Sequence, residues 1–449
     1  MKSIFVFLVF FIAFAAGKLE LVIEFIRHGA RGPSDSTWNP EKWGNGFDIH
    51  QLTEVGMRQT YILGREMRNR YIERENLLSK KYNNTELYVR STSSSRALQS
   101  ASSHLYGLYP LGTGLEIDQN YPLDIAVPPY QNLTLDIPNM GYDALPRKFQ
   151  PIEIHSLDQE KDMLLNYANL CPTYQILKNQ QEKKQLFQDL NVEFKETLEH
   201  MQEIFKTTDS SPWNITKVSR FVTNIYADIY KNNPLPEGLT SDIWRNMTVI
   251  KDLERQYVEL GSDLQRKFMG TPLFKEIQKY FLDKINNPDS DLKYVFFSGH
   301  YLTLTPLMVG LNITNLECLI NKFHGLPDDH LNCENGYPIY ASQILIELHS
   351  RVMETGMKKH FVKVIYNGKE MNLCEKGKIE CEFEEYNNRI QKEIIVNDFN
   401  KLCYDPGEFT MEKKENEATK EEKQQNGFLN KFSKFLSHAD NGMRSSMFY

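Results

Sequence analysis

At 449 residues the chain is long for a single hydrophobic core, so two or three structural units are expected. Apolar residues make up 41% and aromatics 12%, which excludes global disorder. A net charge of −7 excludes the basic face of a dedicated nucleic-acid binder, so no nucleic-acid partner is expected.

The chain opens with Lys2 and an unbroken apolar run over 4–16 that ends at the small-residue triplet Ala13-Phe14-Ala15. The run is short for a bilayer span and reads as a signal peptide over 1–17, cut after Ala15 or Gly17. No later stretch is long and apolar enough to span a membrane, so no transmembrane segment is expected. Residues 19–26 (LELVIEFI) form a β-rich apolar run that predicts a buried strand ending at Arg27. A helix is predicted over 52–71, with Thr53 as N-cap and Val55, Ile62 and Tyr71 on one face. A short strand over 87–89 runs into Arg90, and a helix over 95–106 follows. Strand, loop, helix, strand, helix is the start of an α/β layer.

Residues 145–290 change character. They are rich in Lys, Glu, Gln and Leu at helical spacing, with the clearest helices over 186–205 and 253–284. This stretch reads as a helical cap inserted into the layer. Strands return at 294–297, 342–348 and 361–366, so the α/β core is expected to be discontinuous, over 18–144 and 291–410. Residues 411–449 hold a charge-rich, low-complexity run and a short Phe/Lys amphipathic patch, a solvated linker and tail.

Six cysteines accompany the signal peptide: Cys171, Cys318, Cys333, Cys374, Cys381 and Cys403. An even count on the secretory route predicts three disulfides. The sequence does not choose among the pairings. Joining neighbours, Cys374 with Cys381 and Cys318 with Cys333, leaves Cys171 with Cys403. Their spacing matches no zinc site, and no metal is expected. N-x-S/T sequons at Asn83, Asn132, Asn214, Asn246 and Asn312 agree with secretion.

The chemistry concentrates at strand ends. Arg27-His28-Gly29-Ala30-Arg31-Gly32-Pro33 follows the first buried strand, where open α/β sheets place their ligands. Guanidinium forks suit phosphate oxygens, and a histidine between them can attack phosphorus through a ring nitrogen. Alone, this stretch would read as a surface turn with solvated charges. Arg90, with Arg96 following, and His300 after 294–299 stand at two further strand ends. Several cationic groups around one point call for an anion, and a dianionic phosphate is the natural guest.

With these residues in view, the sequence resembles the histidine acid phosphatases of the prostatic and lysosomal branch, over residues 19–403. RHGARGP matches the RHGxRxP signature, QLTEVGMRQ resembles the first helix, and RSTSSSRALQSA resembles the second arginine block. The resemblance implies a phosphoglycerate-mutase-like α/β core sheet with helices on both faces and an inserted helical cap. It implies His28 as the nucleophile that becomes phosphohistidine, and Arg27, Arg31 and Arg90 as phosphate-binding arginines. His300 becomes the second histidine, catalytic and in contact with phosphate. No cofactor is implied. Small-molecule phosphate monoesters are the partners, a homodimer is the oligomer to test, and residence is secreted or lysosomal.

One position departs from the family. The second histidine is normally followed by an Asp that protonates the leaving alcohol, whereas here Tyr301 holds this proton-donor position. A phenol with an ordinary pKa near 10 suits general-acid work at acidic pH poorly. Asp35, Asp48, Asp328 and Asp329 are other carboxylates available to the role. Two readings follow: an acid phosphatase with a weakened or replaced general acid, or a catalytically impaired phosphate-binding pseudophosphatase. A phosphotransferase or mutase agrees less well with a signal peptide and disulfides.

Overall fold

The computed structural model describes residues 17–34, 43, 49–131, 141–205, 211–374 and 377–405. The signal-peptide residues before Gly17, the tail 411–449, Asp35, Asp48 and the Asn132 sequon lie outside these residues.

Among the described residues eight strands form one mixed sheet: β1 Lys18–Arg27, β2 Leu87–Thr92, β3 His155–Leu157, β4 Tyr294–Gly299, β5 Gln343–Val352, β6 Lys358–Tyr366, β7 Lys369–Glu370 and β8 Glu380–Glu382. The order is β3-β2-β4-β1-β5-β6-β7, with β8 also on β6. The first four strands are parallel to one another, and β5 to β8 add antiparallel pairings.

Alternation along each strand separates two cores. Leu21, Ile23 and Phe25 join Val295, Phe297, Ile344, Ile346 and Val364 on one face. Val22 and Ile26 join Tyr294, Phe296, Leu345 and Ile365 on the other. The second face is covered by α1 Glu54–Met67 and α2 Ser95–Leu108. Over the first lie α3 Tyr167–Leu170, α4 Pro172–Gln181, α9 Asp263–Asn286, α10 Tyr301–Gly310, α12 Phe383–Glu393 and α13 Phe399–Tyr404. A third core joins Trp43 to α5 Gln185–Glu193, α6 Lys195–Ile204, α7 Ile215–Lys231, α8 Ser241–Leu260 and α11 Leu316–His324. The helices within 145–290 therefore divide between two cores, α3, α4 and α9 packing with the sheet.

Three local expectations are corrected. The helix predicted over 52–71 begins after Thr53, whose side chain does accept from Gly56 N, but it becomes π-helical over Arg68–Arg74. Its buried face is Gly56, Thr60, Gly64 and Met67, while Ile62 is exposed. Small residues replace the expected apolar stripe because α1 lies almost in backbone contact with α2. A Cβ on Gly64 would stand 1.9 Å from the carbonyl oxygen of His104. The continuous helix expected over 186–205 breaks at Phe194, and the one over 253–284 breaks at Gly261-Ser262, where Ser262 and Gln265 form a capping box. The disulfides are Cys171–Cys403, Cys318–Cys333 and Cys374–Cys381.

Candidate active site

β2, β4 and β1 are adjacent and parallel, so their carboxyl ends open on one side of the sheet. Arg27 and His28 leave β1 there, His300 leaves β4, and Thr92 to Arg96 leave β2. The loop after β1 is clamped. Gly29 N donates to Ser100 Oγ at 3.0 Å on α2, and Ala30 N to Gln59 Oε1 at 2.8 Å on α1. Thr53 donates to the Ala30 carbonyl through both its amide and its hydroxyl. A Cβ on Gly29 would stand 2.2 Å from Gly56 O, and one on Gly56 would stand 2.1 Å from Ala30 O. Glycine at both places lets the loop lie directly on the start of α1.

This clamp fixes the imidazole of His28. The ring is buried, with Nδ1 2.8 Å from the Gly29 carbonyl oxygen. A carbonyl only accepts, so Nδ1 carries the proton and Nε2 keeps its lone pair. Burial, followed by the charges of Arg27, Arg96 and Arg31, holds the ring's pKa well below the usual value, so it is neutral. The His300 ring lies 5.3 Å away, centroid to centroid. Its Nδ1 is 3.4 Å from Arg96 Nη2, and its Nε2 is 3.0 Å from Thr92 Oγ1 and 3.3 Å from Ser94 Oγ. Arginine cannot accept a hydrogen bond, so Nε2 bears the proton. Burial and the charges of Arg96, Arg27 and Arg31 keep His300 neutral as well.

Arg27 is 1% exposed. It donates to Pro338 O at 2.6 Å, and its guanidinium carbon lies 4.3 Å from the ring centre of Tyr340 and 4.7 Å from that of Tyr337. Arg31 is buried and donates to Gly32 O at 2.6 Å. The structure does not bring Arg90 into this group. Its guanidinium is paired with buried Asp162 at 2.5 Å, so the charge is already matched. Arg96, on the first turn of α2, stands where Arg90 was expected. Burial, then the charges of Arg31 and Arg27, lower its pKa to about 10. In the sequence Arg90 and Arg96 are two arginines of one block, and only the β2–α2 turn decides which one points at His300. The Nε groups of Arg27 and Arg96 and the hydroxyls of Tyr337 and Tyr340 are buried without a hydrogen-bond partner among the described residues. Those unmatched donors are what an oxyanion would satisfy.

Tyr301 follows His300 but is turned aside. Its ring lies 5.3 Å from Tyr337 and 4.7 Å from the Arg255 guanidinium of the third core. Burial raises its pKa above the ordinary phenol value, which leaves it a still poorer acid than its residue type. Asp328 pairs with its neighbour His330, and Asp329 is exposed; neither lines the space beside His300.

A cavity of 270 Å³ opens over this end of the sheet, lined by His50, Thr92, Ser94, Arg96, Asp162 and His300 among others. A larger groove of 610 Å³ lies between α8, α9 and α10 and holds none of the strand-end residues. The smaller cavity is the one that chemistry selects.

Comparison with known proteins agrees with this geometry. The family described as histidine phosphatase superfamily (branch 2) matches residues 18–367. The chain is 28% identical over 305 residues to lysosomal acid phosphatase of Xenopus laevis, covering 66% of this chain and 63% of that protein. It therefore spans a little under two thirds of that relative. It is 28% identical over 367 residues to prostatic acid phosphatase of Rattus norvegicus, covering 80% of each. Among solved structures, Hafnia alvei phytase in complex with myo-inositol hexakis sulphate is similar with a TM-score of 0.58 at 15% identity, over 85% of this chain and 98% of that one. That likeness concerns the fold.

Proposed function

Since the chain belongs to the histidine phosphatase superfamily, branch 2, we propose that it is an acid phosphatase hydrolysing small phosphate monoesters through a phosphohistidine on His28. The observation that carries the reading is the hydrogen bond from His28 Nδ1 to the Gly29 carbonyl, which leaves Nε2 unprotonated among three arginines. Arg27, Arg31 and Arg96 hold the phosphoryl oxygens, and fixed positive charge stabilises the transition state. Nε2 bonds to phosphorus as the ester oxygen departs, and water then cleaves the N–P bond. Tyr226 and Tyr230 of α7 stand against Tyr337 and Tyr340, so the third core roofs the site and shapes the leaving-group side. The sequons at Asn83, Asn214 and Asn312 and the three disulfides support passage through the secretory route. Asn246 instead donates its side-chain amide to Thr197 on α6.

A second reading, a pseudophosphatase that binds phosphate without turning it over, is favoured by the burial of Tyr301. One measurement separates them. The wild-type protein is expected to hydrolyse nitrophenyl phosphate at acidic pH and to form an acid-labile phosphoenzyme, and His28→Ala is expected to lose both while still melting cooperatively. A folded wild-type protein with neither activity nor phosphoenzyme would leave the binding role in its place.

A further inference from the structure

An alkyl phosphate expels an alkoxide that needs a proton in the transition state. The Tyr301 ring is held against Arg255 and Tyr337, and the imidazole and carboxyl groups that line the cavity beside His300 are those of His50 and Asp162. Asp162 Oδ1 receives Arg90 at 2.5 Å and the amides of Leu165 at 3.0 Å and Leu164 at 3.3 Å. All three are donors, so Oδ1 is already committed as an acceptor to Arg90 and to the backbone, while Oδ2 has no partner among the described residues. His300 has both ring nitrogens occupied. His50 differs from each of these. It stands at the cavity mouth just before α1, and its ring makes no hydrogen bond or ion pair among the described residues.

The backbone holds His50 there at some strain. Its φ is +59°, in the left-handed region that non-glycine residues seldom occupy, although histidine does so more readily than most. Its amide donates to Pro33 O at 3.1 Å, and the carbonyl of its neighbour Gln51 accepts from Gly32 N at 2.9 Å. Gln51 Oε1 accepts from Ser95 Oγ at 3.2 Å at the start of α2. The residue is thus pinned between the loop of His28 and the helix of Arg96. A left-handed backbone held by hydrogen bonds at the lip of the site fixes where the His50 ring projects.

We propose that His50 is the proton donor to the leaving-group oxygen of the phosphate ester held by Arg27, Arg31 and Arg96. The assignment rests on the phosphatase reading above. In the first step the His28 Nε2–P bond forms, the P–O bond to the leaving group breaks, and the proton on the His50 imidazolium passes to the departing oxygen. In the second, the neutral His50 imidazole takes a proton from water as the water oxygen bonds to phosphorus and the N–P bond breaks. Both residues return to their starting states. The charges facing His50 are Arg31 from the β1–α1 loop and Arg96 from α2, with Asp162 and neutral His300 across the cavity. Partial burial of the ring, then the charges of Arg31 and Arg96, hold its pKa below the ordinary histidine value. A phosphate dianion between those arginines offsets their two charges and so favours the His50 imidazolium while substrate is bound.

The test compares leaving groups. His50→Asn suits the left-handed backbone, and His50→Gln gives a second variant should the first fold poorly. Both should lose about 10²-fold or more in kcat/KM on an alkyl phosphate such as glycerol phosphate, and less than about tenfold on nitrophenyl phosphate, whose phenolate needs little help. The fall of alkyl hydrolysis with rising pH should flatten in the variants, and vanadate should still raise their melting temperature. Tyr301→Asp should bring no gain on alkyl esters. Equal losses on both esters, or none on either, would overturn the role of His50. So would an alkyl-selective loss in Asp162→Asn alone. A wild-type protein inert toward nitrophenyl phosphate would overturn the phosphatase reading itself, a result distinguishable from these.

Discussion

Arg90 and Arg96 belong to one sequence block, yet burial and pairing give them separate work. Arg90 neutralises buried Asp162, while Arg96 stands at His300 with no carboxylate partner among the described residues. Replacing each by Ala should therefore separate binding from stability. Arg96→Ala should weaken vanadate binding by about 10- to 100-fold, the scale of one lost charge-assisted hydrogen bond. Arg90→Ala should change vanadate affinity little and lower stability by about 3 kcal/mol, because Asp162 is left charged and buried. Calorimetric titration and thermal melts read the two effects separately. A collapse of vanadate binding in Arg90→Ala alone would restore the cradle of Arg27, Arg31 and Arg90 that the sequence suggests.

At the scale of elements, the active-site loop depends on how closely α1 approaches it. Gly29 and Gly56 meet backbone to backbone, so neither position has room for a methyl group. Gly56→Ala should push the loop off Thr53 and Gln59, costing about 1–3 kcal/mol of stability as overpacking does. It should also cut activity far more than the added methyl suggests, because His28 Nε2 is aimed by that loop. A variant with wild-type kcat and melting temperature would mean that the loop tolerates displacement. The same closeness explains why α1 buries glycine and threonine. Helical spacing marks a face, but the width of the gap to α2 decides which residue sizes fit it.

Across the whole molecule, buried charge sets the response to acid. Glu347 on β5 is buried beneath Arg70, Tyr71 and His349. Burial alone would raise its pKa, but the hydrogen bond from His349, the charge of Arg70 and the Tyr71 hydroxyl outweigh it and hold the carboxyl near 2, against an ordinary 4.5. A depressed folded pKa means stability that is complete above the unfolded value and is lost as pH falls through the folded one. The contribution, about 3 kcal/mol, should thus persist through mildly acidic pH and disappear between about 4.5 and 2. Glu347→Gln should melt lower than wild type at pH 7, with the gap closing over that window. A gap independent of pH would assign Glu347 a packing role alone.

The one-dimensional pattern was enough for whatever is local. The apolar run before Arg27, Thr53 as N-cap, the strand before His300 and the RHGARGP block all follow from neighbours along the chain, and so the sheet and its histidine could be read there, whereas the strand expected to stop before Arg90 runs through it to Thr92. Helix breaks at Phe194 and Gly261 were missed because the apolar periodicity runs through them; at Gly261 the packing changes from the third core to the sheet, while the helices on both sides of Phe194 stay in the third core. The choice of Arg96 over Arg90, the turning aside of Tyr301 and the arrival of His50 at the cavity were decided by tertiary structure. Each depends on a partner distant in sequence: Asp162 for Arg90, Arg255 and Tyr337 for Tyr301, and Arg96 and His300 for His50. Sequence sets which groups leave each strand end, and charge pairing across the fold sets which of them remain unpaired and free for chemistry.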